Sequence, residues 1–119
     1  MSIDTEQLAR RILWACIEDY AGLWELLWEA NTEFPNECAA DRELATQRLV
    51  RSFHNKGLVT LYRCQEPYGE LTQIGPDQVS GLLEDRRNWE APDIRGLSIR
   101  ASATKAGEAA YRNRQTLSD

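Results

Sequence analysis

Long hydrophobic runs are missing from this chain, as are an apolar leader and a glycine-rich phosphate loop. No stretch approaches the ~18 consecutive apolar residues that read as a membrane span. The start MSIDTEQLARR lacks the basic opening and apolar run of a secretory signal, so a cytoplasmic location is expected. The three cysteines, Cys16, Cys38 and Cys64, are odd in number and form no CxxC pair, which argues against a disulfide framework and for small buried hydrophobes. Cys38, His54 and Cys64 match no common zinc spacing, and no metal is expected. His54 is the only histidine. A Ser-His-acid or Cys-His pair would have to use it, yet it sits at a helix end, where an imidazole ordinarily meets terminal carbonyls. The scattered glycines form neither a phosphate loop nor a dinucleotide fingerprint. No cofactor is expected, and the chain does not read as an enzyme.

What is present is an ordinary globular composition. Hydrophobic residues make up 42% and charged residues 28% of 119 residues, enough for one domain with its own core. Asp4 opens a first helix through Cys16, with Leu8, Ile12 and Cys16 at spacing four and Ile3 as a staple. Tyr20, Leu23, Trp24, Leu27 and Trp28 form a second helical stripe after Asp19, placed as its N-cap, and Pro35-Asn36 ends it. Trp24 and Trp28 read as core, or with Trp14 as the lining of a ligand pocket or dimer interface. A third helix is expected over 39–55, burying Leu44, Ala45, Leu49, Val50 and Phe53 and stopped at Asn55-Lys56-Gly57.

LVTLYRC then reads as a strand ending at the EPYGE turn. Pro76 starts a short helix reaching about Asn88, with Val79, Leu82 and Leu83 apolar. Trp89 either anchors this connection or stands exposed as a partner hot spot. Leu97, Ile99 and Ala101 alternate with Ser98, Arg100 and Ser102 as a second strand, and Thr104 caps a last helix. The domain is expected to span 1–114, with 115–119 a frayed tail. The fold class is mainly α with a small β-hairpin.

Two stretches carry a resemblance. Leu49-Val50-Arg51-Ser52-Phe53-His54-Asn55-Lys56-Gly57-Leu58-Val59 resembles the end of a winged-helix recognition helix opening into the first wing strand. Leu97-Ser98-Ile99-Arg100-Ala101, followed by Ala103-Thr104-Lys105-Ala106-Gly107, is similar to a second wing strand running into a Thr-x-x-Gly helix start. Regulators of the MarR and PadR kind close their wing in this way, and Asp93-Ile94-Arg95-Gly96 resembles the Asp-x-Arg of a MarR wing tip. The chain departs from them in its connection from Glu66 to Asp93, longer than a usual wing and containing a helix, and in the absence or shortness of the long dimerising helices. DYAGLWEL and EDRRNWE also resemble segments of small bacterial proteins without assigned function. The resemblance implies a winged helix-turn-helix with an elongated wing connection.

The charge pattern bears on what such a fold would bind. The formal net charge is −5, but residues 1–43 sum to −7, 44–65 to +4, 66–93 to −5 and 94–119 to +3. The basic segments are the presumptive recognition helix and wing, where phosphate neutralisation would supply affinity. A DNA-binding transcriptional regulator would place Arg42, Thr46, Gln47, Arg48 and Arg51 on the third helix towards DNA, with Arg95 and Arg100 on the wing, and would need a homodimer. The alternative is a non-catalytic protein–protein interaction module on the same scaffold, favoured by the acidic balance and the elaborated connection.

Overall fold

The computed structural model describes residues 3–67 and 69–118. Met1 and Ser2 of the opening segment, Tyr68 of the EPYGE turn and Asp119 of the tail lie outside them. Among the described residues the chain is an α+β fold of five α-helices and one four-stranded antiparallel sheet.

Helix α1 (Thr5–Glu18) starts where Asp4 accepts the Gln7 N–H at 3.0 Å, and buries Leu8, Ala9, Ile12, Leu13 and Cys16. Burial pushes the Cys16 thiol up to about 12, so it behaves as an inert apolar group. Cys64 is buried too, whereas Cys38 is exposed, contrary to its reading as a buried hydrophobe.

Asp19 does not cap the second helix. It ends α1 and accepts the Tyr20 N–H at 2.7 Å. Ala21–Gly22 is instead drawn into the sheet as β1, and α2 (Leu23–Glu33) begins with Glu25 accepting the Gly22 N–H at 2.9 Å. This later start rotates the expected stripe. Leu23, Trp24, Leu26 and Ala30 are buried, while Tyr20 and Trp28 are exposed, at 41% and 57%.

Helix α3 (Ala39–Asn55) has the expected bounds but a different buried face, made by Thr46, Leu49, Val50 and Phe53. Leu44 is exposed and Ala45 half-buried. The helix stops in a Schellman motif. Gly57, at φ 73°, donates to His54 O at 3.0 Å, and Leu58 donates to Phe53 O at 2.8 Å. Glycine takes this left-handed conformation without the Cβ penalty.

Strands β2 (Val59–Gln65), β3 (Leu71–Gln73) and β4 (Leu97–Ala103) complete a sheet of order β1-β4-β2-β3. The sheet is thus larger than the two-stranded hairpin expected from sequence. β2 pairs with β4 from Val59↔Ala103 to Gln65↔Leu97, and β1 pairs with β4 at Ala21↔Ala101 and Gly22↔Arg100. Leu61, Ile99 and Ala101 face the core. Leu97, expected on that inner face, is 63% exposed. On the opposite face Ser98 is buried, its hydroxyl donating to Glu66 at 2.7 Å.

Between β3 and β4 lie α4 (Pro76–Glu84) and a separate 3-10 turn (Arg86–Trp89), rather than one helix to Asn88. The break falls where Asp85 takes an extended conformation and caps the turn by accepting the Arg87 N–H at 3.0 Å. Trp89 anchors the connection: its indole N–H donates to Leu83 O at 2.8 Å, and its ring packs on the core.

Helix α5 (Lys105–Arg112) is capped by Thr104, whose hydroxyl accepts the Gly107 N–H at 3.0 Å and donates to Gly57 O at 2.6 Å. A Cβ on Gly107 would stand 2.1 Å from Leu58 O. The Thr-x-x-Gly stretch therefore locks onto the end of α3, joining the two stretches that carry the sequence resemblance.

The segment 115–118 is not frayed. Leu117 is 1% exposed in the core, and the Leu117 and Ser118 N–H groups donate to Glu6 at 2.9 and 3.0 Å.

Candidate functional site

The seven residues assigned from sequence to a nucleic-acid surface are not presented together on one open face. Arg42 turns back onto the α2–α3 link. Its Nε donates to Asn31 Oδ1 at 2.8 Å, and its Nη1 donates to the carbonyls of Phe34, Pro35 and Glu37. A guanidinium with several carbonyl partners closes a turn whose backbone would otherwise need water. Thr46 is fully buried, and its hydroxyl donates to Arg42 O at 2.8 Å. Neither side chain is placed to meet a groove.

Gln47 and Arg51 lie on a face of α3 occupied by the connection. Arg51 Nη2 pairs with Glu84 of α4 at 3.4 Å, and one turn before Gln47, Glu43 pairs with Arg86 of the 3-10 turn at 3.3 Å. Gln47 lines a cleft of about 110 Å³ between these elements, with Leu27, Leu83 and Trp89 as its apolar walls. The Arg51 Nε is buried without a hydrogen-bond partner, at the cost of its desolvation.

Arg100, assigned to the wing, is held on the sheet. Its Nε and Nη2 donate to Glu66 Oε1 at 3.0 and 2.5 Å, and its Nη1 donates to Tyr20 O at 2.7 Å. The guanidinium also lies 5.1 Å from the Trp24 ring centroid and 3.6 Å from Glu25. Burial opposes the charged form of Glu66, but the bonds from Ser98 and Arg100 outweigh it and hold the carboxyl below its ordinary range. Arg48 and Arg95 alone among the seven are exposed with no ion pair among the described residues.

A second surface was touched by the sequence reading only through Trp14, one of three tryptophans offered there as a possible pocket or interface lining. On α1, Trp14 stacks on Tyr111 of α5 with centroids 5.4 Å apart, and Arg10 lies 4.5 Å over the Tyr111 ring. Arg11 bridges α1 to α2 through Glu29 and Glu33, each at 2.5 Å. Between the helices run two open depressions of about 300 and 360 Å³ that share Ala15, Glu18 and Glu29. Tyr20, at the far end, meets Tyr62 of β2 edge-on at 5.5 Å. The sequence signals for this groove were the acidic sum of residues 1–43 and Trp14 itself; that Trp14 stacks on a residue 97 positions away depends on how α5 docks.

Among the described residues no three side chains are grouped to hold a metal ion, and no helix is long and apolar enough to cross a membrane. Comparison with protein-family models, curated proteins and solved structures finds no match for this chain.

Proposed function

We propose that this chain is a non-catalytic protein-interaction module on a winged-helix-like scaffold. The scaffold reading is supported by connectivity: a strand between the first two helices pairs with the last strand, which pairs in turn with the strand leaving the third helix. The clamp between Thr104 and Gly57 supports it at the two stretches that resemble winged helices.

The observation that carries the functional reading is the docking of α4 and the 3-10 turn over the Glu43, Gln47 and Arg51 face of α3. A helix that reads bases must enter the major groove with its polar face open. Here that part of the face is packed against an acidic connection. Arg42, Thr46, Arg51 and Arg100, four of the seven assigned residues, are held by partners inside the molecule, and a net charge of −5 opposes approach to phosphates.

A second reading, the DNA-binding regulator, keeps the support of Arg48 and Arg95, both exposed cations outside any ion pair among the described residues. Salt-titrated retention on pooled genomic DNA, run beside affinity capture from nuclease-treated extract, separates the two. The module reading expects no retention at low ionic strength and a stoichiometric protein partner displaced by free chain. Retention that falls steeply with salt and is lost in Arg48→Glu would overturn it.

A further inference from the structure

We propose that the groove between α1 and α2 is the docking surface of this module and receives a basic segment of the partner protein, seating an arginine or lysine side chain between its aromatic ends and its carboxylates. This rests on the protein-interaction reading above and names the face and the chemistry.

The groove has the shape for an extended segment, because its two depressions run into one another across Ala15, Glu18 and Glu29. The small Ala15 side chain leaves its middle shallow. Trp14 at one end is 40% exposed and Tyr20 at the other 41%, so part of each ring is open to an occupant of the groove. Such rings offer a π-face to a cation, and the molecule already uses neighbouring rings in that way: Arg10 lies over Tyr111 and Arg100 over Trp24.

The charge selects the occupant. Glu18 and Asp19 have no cationic partner in any ion pair among the described residues, and Glu29 shares Arg11 with Glu33. Glu25 stands 3.6 Å from Arg100, which Glu66 already holds at 2.5 Å. Four carboxylates, Glu18, Asp19, Glu25 and Glu29, thus line the groove against Arg10 and Arg11. A phosphate backbone or an anionic lipid surface would be repelled there, whereas a guanidinium or ammonium gains both ring and carboxylate contacts. In the cleft between α3 and α4 the bias is weaker, since Glu43 and Glu84 are paired with Arg86 and Arg51 and only Glu90 of its lining carboxylates stands outside an ion pair among the described residues.

The test uses the full chain and a short fluorescent peptide of alternating arginine and serine, with the glutamate-for-arginine peptide as control. Anisotropy should show saturable binding of the basic peptide only. Amide and indole shift changes should concentrate at Trp14, Ala15, Glu18 and Tyr20. Glu18→Lys should weaken binding roughly tenfold, the effect of exchanging an attraction for a repulsion of similar size. Glu70→Lys, the same charge change beside β3 at the opposite sheet edge, should leave it unchanged. Absent binding, equal loss in both variants, shifts centred on the α3–α4 cleft, or binding explained by self-association in sedimentation would each overturn the proposal. Capture of a stoichiometric partner that Glu18→Lys does not weaken would overturn the groove alone. DNA retention without any protein partner would overturn the module reading beneath it.

Discussion

The carboxylate of Glu66 gathers three donors onto one oxygen: the Ser98 hydroxyl and the Nε and Nη2 of Arg100. Its side chain is only 12% exposed, so removing it strands a guanidinium and a hydroxyl with little water to replace it. Glu66→Ala should cost about 2–3 kcal/mol in denaturant unfolding, within the range for breaking a partly buried charged hydrogen bond. Glu66 and Glu6 both titrate below the ordinary carboxylate range in the folded chain. Burial opposes each shift, and donors outweigh it: Ser98 and Arg100 for Glu66, the Leu117 and Ser118 groups for Glu6. The stability they contribute is therefore complete above the unfolded-chain value near ~4.3 and is lost as pH falls through the lowered folded-state values. Glu66→Gln should flatten the acid limb of a stability-against-pH curve while leaving its shape near neutrality unchanged. None of this partnership was legible in sequence. The alternation of β4 places Ser98 and Arg100 together on one face, but Glu66 arrives from the far end of β2, and only the β2–β4 register brings it there.

At the scale of elements, α3 was legible to the residue because its stop is a local event, written in Asn55-Lys56-Gly57 and closed by backbone bonds within five positions. Its buried face was less legible. Leu44 and Thr46 exchange expected places, since the orientation of the helix is set by what packs on it and not by its own periodicity. Strands β1 and β3, of two and three residues, carry too few positions for any alternation to register. The connection between β3 and β4 was legible as a helix start at Pro76, but not as a lid over α3. Its attachment depends on Trp89. Trp89→Phe should keep the ring packing while leaving Leu83 O without its donor, costing about 1 kcal/mol. Amide exchange should then quicken in α4 and the 3-10 turn but not in α1. Uniform quickening across the molecule would instead show that the connection unfolds only with the whole.

Across the whole molecule, the ends of the described chain meet. Deleting residues 115–119, harmless if that segment were frayed, should lower thermal stability by about 2 kcal/mol through the exposure of Leu117's site alone, and should return the Glu6 titration towards the ordinary carboxylate range in a shift-monitored pH series. The seven residues assigned from sequence to a DNA-facing surface show the same limit of sequence reading at this scale. Arg51 and Arg100 are held by Glu84 and Glu66, carboxylates supplied by segments whose docking no local pattern announces, while Arg42 and Thr46 are taken up by backbone carbonyls close in the chain. The pairing of β1 with β4 has a further, kinetic consequence. Ala21 and Gly22 must find Ala101 and Arg100, about eighty positions along the chain, before the strand between α1 and α2 exists at all. Local helix formation alone cannot reach the transition state for such a topology, so this mostly helical chain should fold at the slower pace of a mixed α/β domain, its rate set by closure of that long loop.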